Sequence, residues 1–317
     1  MKVIDILQHS EKPFASFELV PPLKGNDATR LYQFIEPLME FSPPFINITY
    51  HRDEVQFKEK GAGVFEKVTV TKRPGMVAIV AAIMRRFDIE VVPHLICGGA
   101  TRQELENDLL DLNFLGIHNI VALRGDAVSG EKFFIPEPDG FCHSSELVQQ
   151  ISQMNAGIYL DKNITNGIKT DFCTGVAGYP EKHYEAPNQE EDILNLKKKI
   201  DAGAEYIITQ MFFDNRKFFH FVKKCREVGI NVPIIPGLKP ISTYKHIEML
   251  PRTFSIDIPE LLMNEIKQCK SDAQIYQVGV EWCISQSKEL LQQGAPAIHY
   301  YTMGKADNIK AVLKEVF

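Results

Sequence analysis

One pattern constrains this chain more than any other: a short, near-continuous apolar run ending in a polar residue, then an amphipathic helical stretch, eight times over. The runs occupy residues 14–20, 45–50, 90–96, 118–124, 172–179, 205–212, 232–237 and 297–302. Stretches such as Ile120-Val121-Ala122-Leu123 and Tyr206-Ile207-Ile208-Thr209 lack the alternation of half-exposed strands. They read as parallel strands covered on both faces. Between them, Thr101 with Glu104 and Asn188 with Glu191 each set a polar N-cap three residues ahead of an acid. Leu105, Leu109, Leu112 and Leu115 recur at helical spacing, and Gly116, Gly203 and Gly229 stand where a helix should end. Eight such units in 317 residues predict an α/β protein, a (β/α)8 TIM barrel in one domain. An open doubly wound sheet is the alternative, because a strand count does not show closure.

Two stretches break the rhythm. Residues 51–89 are too long for one connection, and 65–71 suggests an extra extended piece before a helix over 76–86. Residues 155–171 carry Asn-Gly turn chemistry and little core material, which predicts a surface excursion on the side away from the site. No repeat of fixed period and no linker marks a second domain. Residues 1–317 are therefore expected to form one catalytic barrel with inserted loop segments and no regulatory domain.

Composition serves mainly to exclude. Lys+Arg 35 against Asp+Glu 41, well mixed, leaves a net charge of -6 and no basic footprint, so nucleic acid is not an expected partner. No run approaches the roughly 18 apolar residues of a membrane helix. The N-terminus has Asp5 inside its apolar stretch and no cleavage site, so a cytoplasmic protein with reduced thiols is expected. No two of the six cysteines are closer than Cys269 and Cys283, 14 positions apart, and no HExxH occurs, so no metal site is expected. GxxxxGK[ST] and GxSxG are absent. Gly61-Ala62-Gly63 is followed by Glu66 where a dinucleotide fingerprint needs a third glycine. Any dinucleotide would bind outside a Rossmann crossover.

In a parallel barrel the site forms at the C-terminal strand ends. That rule gathers Glu18, Thr49, His94, Arg124-Gly125-Asp126, Tyr179, Gln210, Pro236-Gly237 and Tyr300-Tyr301-Thr302 at one mouth. Glu18 lies between apolar neighbours and ahead of Pro21-Pro22. A satisfied core histidine is an equal reading of His94. Arg and Asp flanking Gly125 are costly at a strand end unless a ligand or each other pairs them. On the helix after Asn188, Asp192, Asn195 and Lys199 fall within about 60° of one another, beside the apolar stripe that faces the barrel. A polar ligand lying over that helix would explain them.

Several strings, in order, resemble the 5,10-methylenetetrahydrofolate reductase family in its short bacterial form. They are Ser16-Phe17-Glu18 with Pro21-Pro22, Ile48-Thr49-Tyr50, Pro93-His94-Leu95, Asn119 through Asp126, and Gly178-Tyr179-Pro180 through His183. Asn195 through Ala204, Thr209-Gln210-Met211-Phe212-Phe213-Asp214, Pro236 through Pro240 and His299-Tyr300-Tyr301-Thr302 continue the match. The resemblance implies an FAD-containing barrel that reduces methylenetetrahydrofolate to 5-methyltetrahydrofolate with NADH or NADPH, in ping-pong fashion, supplying methyl groups for methionine synthesis. A homo-oligomer is implied as well.

Carried over, Glu18 is the general acid, and Asp126 touches flavin and pterin. Gln210, Phe212, Phe213, Tyr301 and Lys305 meet the folate. Thr49, His94, Arg124, Gly125, His143, Tyr179, His183, Asp192, Asn195, Lys198 and Lys199 surround FAD. The acid role requires that burial raise the Glu18 pKa above about 4.3. The chain departs from the family at Lys198 and Lys305 (Arg in a related bacterial enzyme), at His246 and Leu250 (Gln and Phe), and at His143, which stands near a Tyr. A catalytically silent folate- or flavin-binding barrel is the rival reading. Retention of Glu18, Asp126 and Gln210 together argues against it. A flavin-free aldolase or methyltransferase would want a Schiff-base lysine or a zinc cysteine cluster, and neither is evident.

Overall fold

A computed structural model describes residues 1–128, 131, 133–304 and 306–317. The chain begins with α1 (Val3–His9), then β1 (Phe14–Leu19), α2 (Ala28–Met39) and β2 (Phe45–Ile48). A hairpin of β3 (Glu54–Glu59) and β4 (Phe65–Val70) precedes α3 (Met76–Phe87) and β5 (Glu90–Ile96). Strand and helix then alternate through α4 (Arg102–Phe114), β6 (Asn119–Leu123), α5 (Ser144–Asn155), β7 (Cys173–Gly178), α6 (Gln189–Asp201), β8 (Tyr206–Met211), α7 (Asn215–Glu227) and β9 (Ile234–Leu238). Three helices follow, α8 (Tyr244–Phe254), α9 (Glu260–Gln268) and α10 (Asp272–Gln292), before β10 (Ala297–Tyr301) and α11 (Asp307–Val316).

Eight parallel strands close in the order β1-β10-β9-β8-β7-β6-β5-β2. Because β1 pairs with both β10 and β2, the open sheet is excluded. Each apolar run became a barrel strand, with bounds that differ from the run by at most two residues at either end. The caps are as read: Thr101 and Glu104 form a reciprocal capping box, and the Asn188 side chain accepts from the Glu191 N–H. Gly116, Gly203 and Gly229 all adopt positive φ past their helices.

The barrel interior has two characters. At its N-terminal end, Phe45, Val92, Val121, Cys173, Tyr206, Ile208, Ile235 and Ala297 pack into an apolar floor, and α1 covers it with Val3 and Ile6. The larger apolar layer lies between strands and outer helices and takes the other parity of each strand, for example Phe17, Ile46, Ile207 and Leu238. The 155–171 segment runs from the end of α5 to the start of β7, on the floor side, as expected.

The region 51–89 holds more than the one extended piece the sequence suggests. β4 pairs antiparallel with β3, and Gly61, Ala62 and Gly63, all at positive φ, form the tip between them. None of the six cysteines is bonded to another; four are buried, Cys269 is partly covered and Cys142 is exposed. Among the described residues no cluster of His, Cys, Asp or Glu could hold a metal, and no helix is long and apolar enough to cross a membrane.

Candidate active site

A cavity of about 1170 Å³ opens at the C-terminal end of the barrel. Glu18 is carried there by β1, with only 17% of its side chain exposed. Its backbone is pinned by the Thr302 hydroxyl, which donates to the Glu18 carbonyl at 2.7 Å. Burial pushes its carboxyl up to about 8, against an opposing pull from the Lys239 ammonium. The requirement read from sequence is thus met: Glu18 stays protonated at neutral pH.

Its neighbour His94 lies with Nε2 3.9 Å from Glu18 Oε2 and 3.2 Å from Asn47 Nδ2. Burial, with a contribution from His51, drives this imidazole down to about 3. The contact therefore joins a carboxylic acid to a neutral ring and is not an ion pair. On β10, beside β1, His299, also driven to about 3 by burial, bonds Ser16 Oγ at 2.8 Å through Nδ1.

The Arg124-Gly125-Asp126 turn follows β6. Gly125 sits at φ +85°, and a Cβ there would press within 3.3 Å of Ile96. Arg124 pairs with Glu185, not with Asp126, and its guanidinium stacks over Phe134 at 4.8 Å. Its Nη2 is buried without a hydrogen-bond partner among the described residues. Asp126 faces the cavity.

Beside these, α6 presents the predicted stripe of Asp192, Asn195 and Lys199, joined by Lys198, on the cavity wall. Asp192 accepts the His183 N–H at 3.0 Å, and Lys198 Nζ donates to Asn195 Oδ1 at 2.9 Å. Lys199 Nζ donates to the Ala177 carbonyl at 3.1 Å, and burial brings its pKa down to about 8. Tyr179 meets the His183 ring edge-on at 4.9 Å. Burial and the nearby Arg124 lower His183 to about 4.

Thr49, His143, Gln210 and Tyr301 complete the lining. The Thr49 hydroxyl donates to the Leu19 carbonyl at 3.3 Å, and Tyr301 donates to the Thr209 carbonyl at 2.7 Å. A register shift between Ile208 and Met211 lies where Gln210 turns into the cavity, and its Oε1 accepts the Met211 N–H at 2.9 Å.

Phe212 and Phe213 are not on this wall. Phe212 is fully buried outside the barrel, stacked on Phe218 at 5.2 Å, and Phe213 is packed in the cluster beneath α8, α9 and α10. Leu250 belongs to that same cluster, and His246 accepts the Ser242 N–H at 3.2 Å, so neither reaches the cavity. Lys305 lies outside the described residues. Sequence reasoning passed over Glu185, His299 and the loop residues His51 and Arg52, all of which line the cavity. For His299 the signal was available: it shares the inward parity of Tyr301. Glu185 had none.

Comparisons with known proteins agree with this geometry. Residues 2–316 match the family model described as methylenetetrahydrofolate reductase. A 5,10-methylenetetrahydrofolate reductase of Salmonella typhimurium is 32% identical over 298 residues, covering 94% of this chain and 88% of that protein. A probable methylenetetrahydrofolate reductase (NADPH) of Caenorhabditis elegans is 30% identical over 315 residues, 99% of this chain. Methylenetetrahydrofolate reductase (NADH) 1 of Arabidopsis thaliana is 30% identical over 317 residues, 96% of this chain. The chain spans 43% and 48% of the length of these last two relatives. Among solved structures, an uncharacterized Clostridium thermocellum protein that binds two copies of 5-methyl-5,6,7,8-tetrahydrofolic acid superimposes with a TM-score of 0.56. At 15% identity, with 98% of this chain and 96% of that one covered, it shares the fold. The family model spans the whole barrel and the bacterial relative matches nearly end to end, so this chain belongs to the methylenetetrahydrofolate reductase family.

Proposed function

We propose that this chain reduces 5,10-methylenetetrahydrofolate to 5-methyltetrahydrofolate with electrons from a nicotinamide nucleotide passed through FAD. The observation that carries the reading is Glu18, a buried carboxyl protonated at neutral pH, on one cavity with Asp126 and Gln210.

The residues present fit FAD. Arg124 holds a buried, partnerless Nη2, Gly125 leaves no Cβ in the way, and α6 adds Lys198 and Lys199 beside the hydroxyl-pairing groups Asp192 and Asn195. Two phosphates and a polyol chain are the chemistry such a wall suits. When bound, FAD would supply the two-electron carrier between nicotinamide and folate. Thr49, His94, His143, Tyr179 and His183 would complete its surroundings.

The chain's own groups then do the proton and charge work. Glu18 gives its proton to N10 of the folate as the bond from N10 to the methylene carbon breaks, leaving a cationic iminium at N5 that can accept hydride. Asp126, a carboxylate on the same cavity, favours that cation. Gln210 exchanges its bond to the Met211 N–H for the pterin, and Tyr301 bounds the folate side. Burial under the ligands keeps Glu18 protonated until N10 presents itself.

The test is anaerobic spectroscopy of the purified protein. It should be yellow, lose its colour on adding NADH or NADPH, and regain it on adding methylenetetrahydrofolate. A protein that takes up no FAD would overturn the proposal. Because the relatives' names carry both NADPH and NADH, the two nucleotides are to be compared in parallel.

A further inference from the structure

Lys239 follows the last residue of β9 and is 3% exposed, a rare state for a side chain that carries charge at neutral pH. Ile235 of β9 belongs to the barrel interior and Leu238 to the outer layer, so Lys239 falls on the interior side. Its level follows from the strand registers. Tyr300 pairs with Leu238, and Glu18 pairs with Tyr301. Continuing that register one residue past the end of β9 sets Lys239 level with Tyr301, in a row with Glu18 across neighbouring strands. The outer two backbones are about 10 Å apart, a span that a glutamate and a lysine reaching toward each other can close.

The groups around the Glu18 carboxyl that burial shifts are neutral near pH 7. Burial drives His94 of β5 and His299 of β10 to about 3, and lifts Tyr301 of β10 and Tyr179 just past β7 above the usual phenol range. His51, beyond β2, is lowered by burial and Arg73. Cys283 of α10, which also feels Lys239, is pushed up to about 12 by burial. Asp126 faces the same cavity from beyond β6. Among the described residues, the Lys239 ammonium is the one group that opposes the effect of burial on Glu18.

We propose that Lys239 is a positioning residue for the acid: its buried charge keeps the Glu18 proton releasable near neutral pH. A carboxyl raised by burial alone would hold its proton too tightly to give it up quickly, because the best acid has a pKa near the working pH. The inference rests on the reading of Glu18 as the acid.

The test is single-turnover reoxidation of the reduced holoenzyme by methylenetetrahydrofolate, followed from neutral to alkaline pH. In Lys239→Met the alkaline limb should move up by about one unit or more, and the plateau rate should fall about three- to tenfold. Bleaching by the nicotinamide nucleotide should be unchanged, and Lys239→Arg should restore the wild-type limb. A limb in Lys239→Met that coincides with wild type, or moves down, overturns the assignment. If Lys239→Met does not accumulate folded, Lys239→Gln carries the same expectation. Glu18→Gln is run alongside. If it reoxidises normally, the acid reading falls and the Lys239 assignment with it. If it fails while the Lys239 variants leave the limb in place, only the Lys239 assignment is lost.

Discussion

The floor and the mouth of this barrel are built from the same strands at the same inward parity, yet they are different materials. At the floor, Phe45, Val92, Tyr206 and Ile235 interlock under α1. Two to four residues further along those strands or their neighbours come Glu18, His94, Gln210 and Tyr301, all lining the cavity. The floor gains stability from burial, whereas at the mouth burial opposes the charged forms of Glu18, His94 and Tyr301. Strength and chemistry are thus separated along the barrel axis.

Glu18→Gln should break the comparison most sharply at the mouth. Hydride transfer to folate should fall by about 10²–10⁴-fold, while bleaching by the nicotinamide nucleotide proceeds at the wild-type rate in stopped flow. Phe45→Ala is the counterpart at the floor. It should cost about 3–5 kcal/mol in denaturant titration, while the native protein that remains keeps its flavin reduction rate.

The pH dependence of stability sharpens the contrast further. Glu18 holds its proton to about 8 when folded and to 4.5 otherwise, so between those values the folded state binds the extra proton and loses stability as pH rises. Glu18→Gln should therefore gain on the wild-type apoprotein progressively across that window, by at most about 1.4 kcal/mol per unit. His94 works the other way. Folded, it refuses a proton down to about 3, against 6.5 ordinarily, so stability is lost as pH falls through that range, and His94→Gln should gain there. Floor substitutions should show neither trend. The smallest effect belongs to Lys199→Met on α6, which should weaken FAD binding about tenfold in a fluorescence titration and leave the melting temperature of the apoprotein nearly unchanged.

The barrel was legible in the sequence because strands covered on both faces read as unbroken apolar runs, and capped helices with closing glycines separate them. β3 was not legible. Glu54–Glu59 is mostly polar and lies in a hairpin that stands on the mouth, so no apolar pattern marks it. The three helices between β9 and β10 were missed because strand counting says nothing of how many helices fill one connection. Within the site, the stripe on α6 was readable from helical geometry, and the need for a raised Glu18 pKa from chemistry. Phe212 and Phe213 were misplaced because a motif shows that residues are adjacent, not which wall they face; both lie past the end of β8, where Phe212 packs on Phe218 of α7 and Phe213 joins the cluster under α8, α9 and α10. The Arg124–Glu185 pair joins two loops and has no local signature.

The hydroxyl that fixes the Glu18 backbone belongs to Thr302, 284 positions later in the chain. β1 cannot settle between its two neighbours until β10 has been made and folded. A ribosome must therefore deliver the chain through β10 and Thr302 before the Glu18 carboxyl acquires its final setting, and a product terminated before β10 would lack two of its packing partners, Tyr301 and Thr302. Only a chain extended through Thr302 can hold Glu18 in this setting.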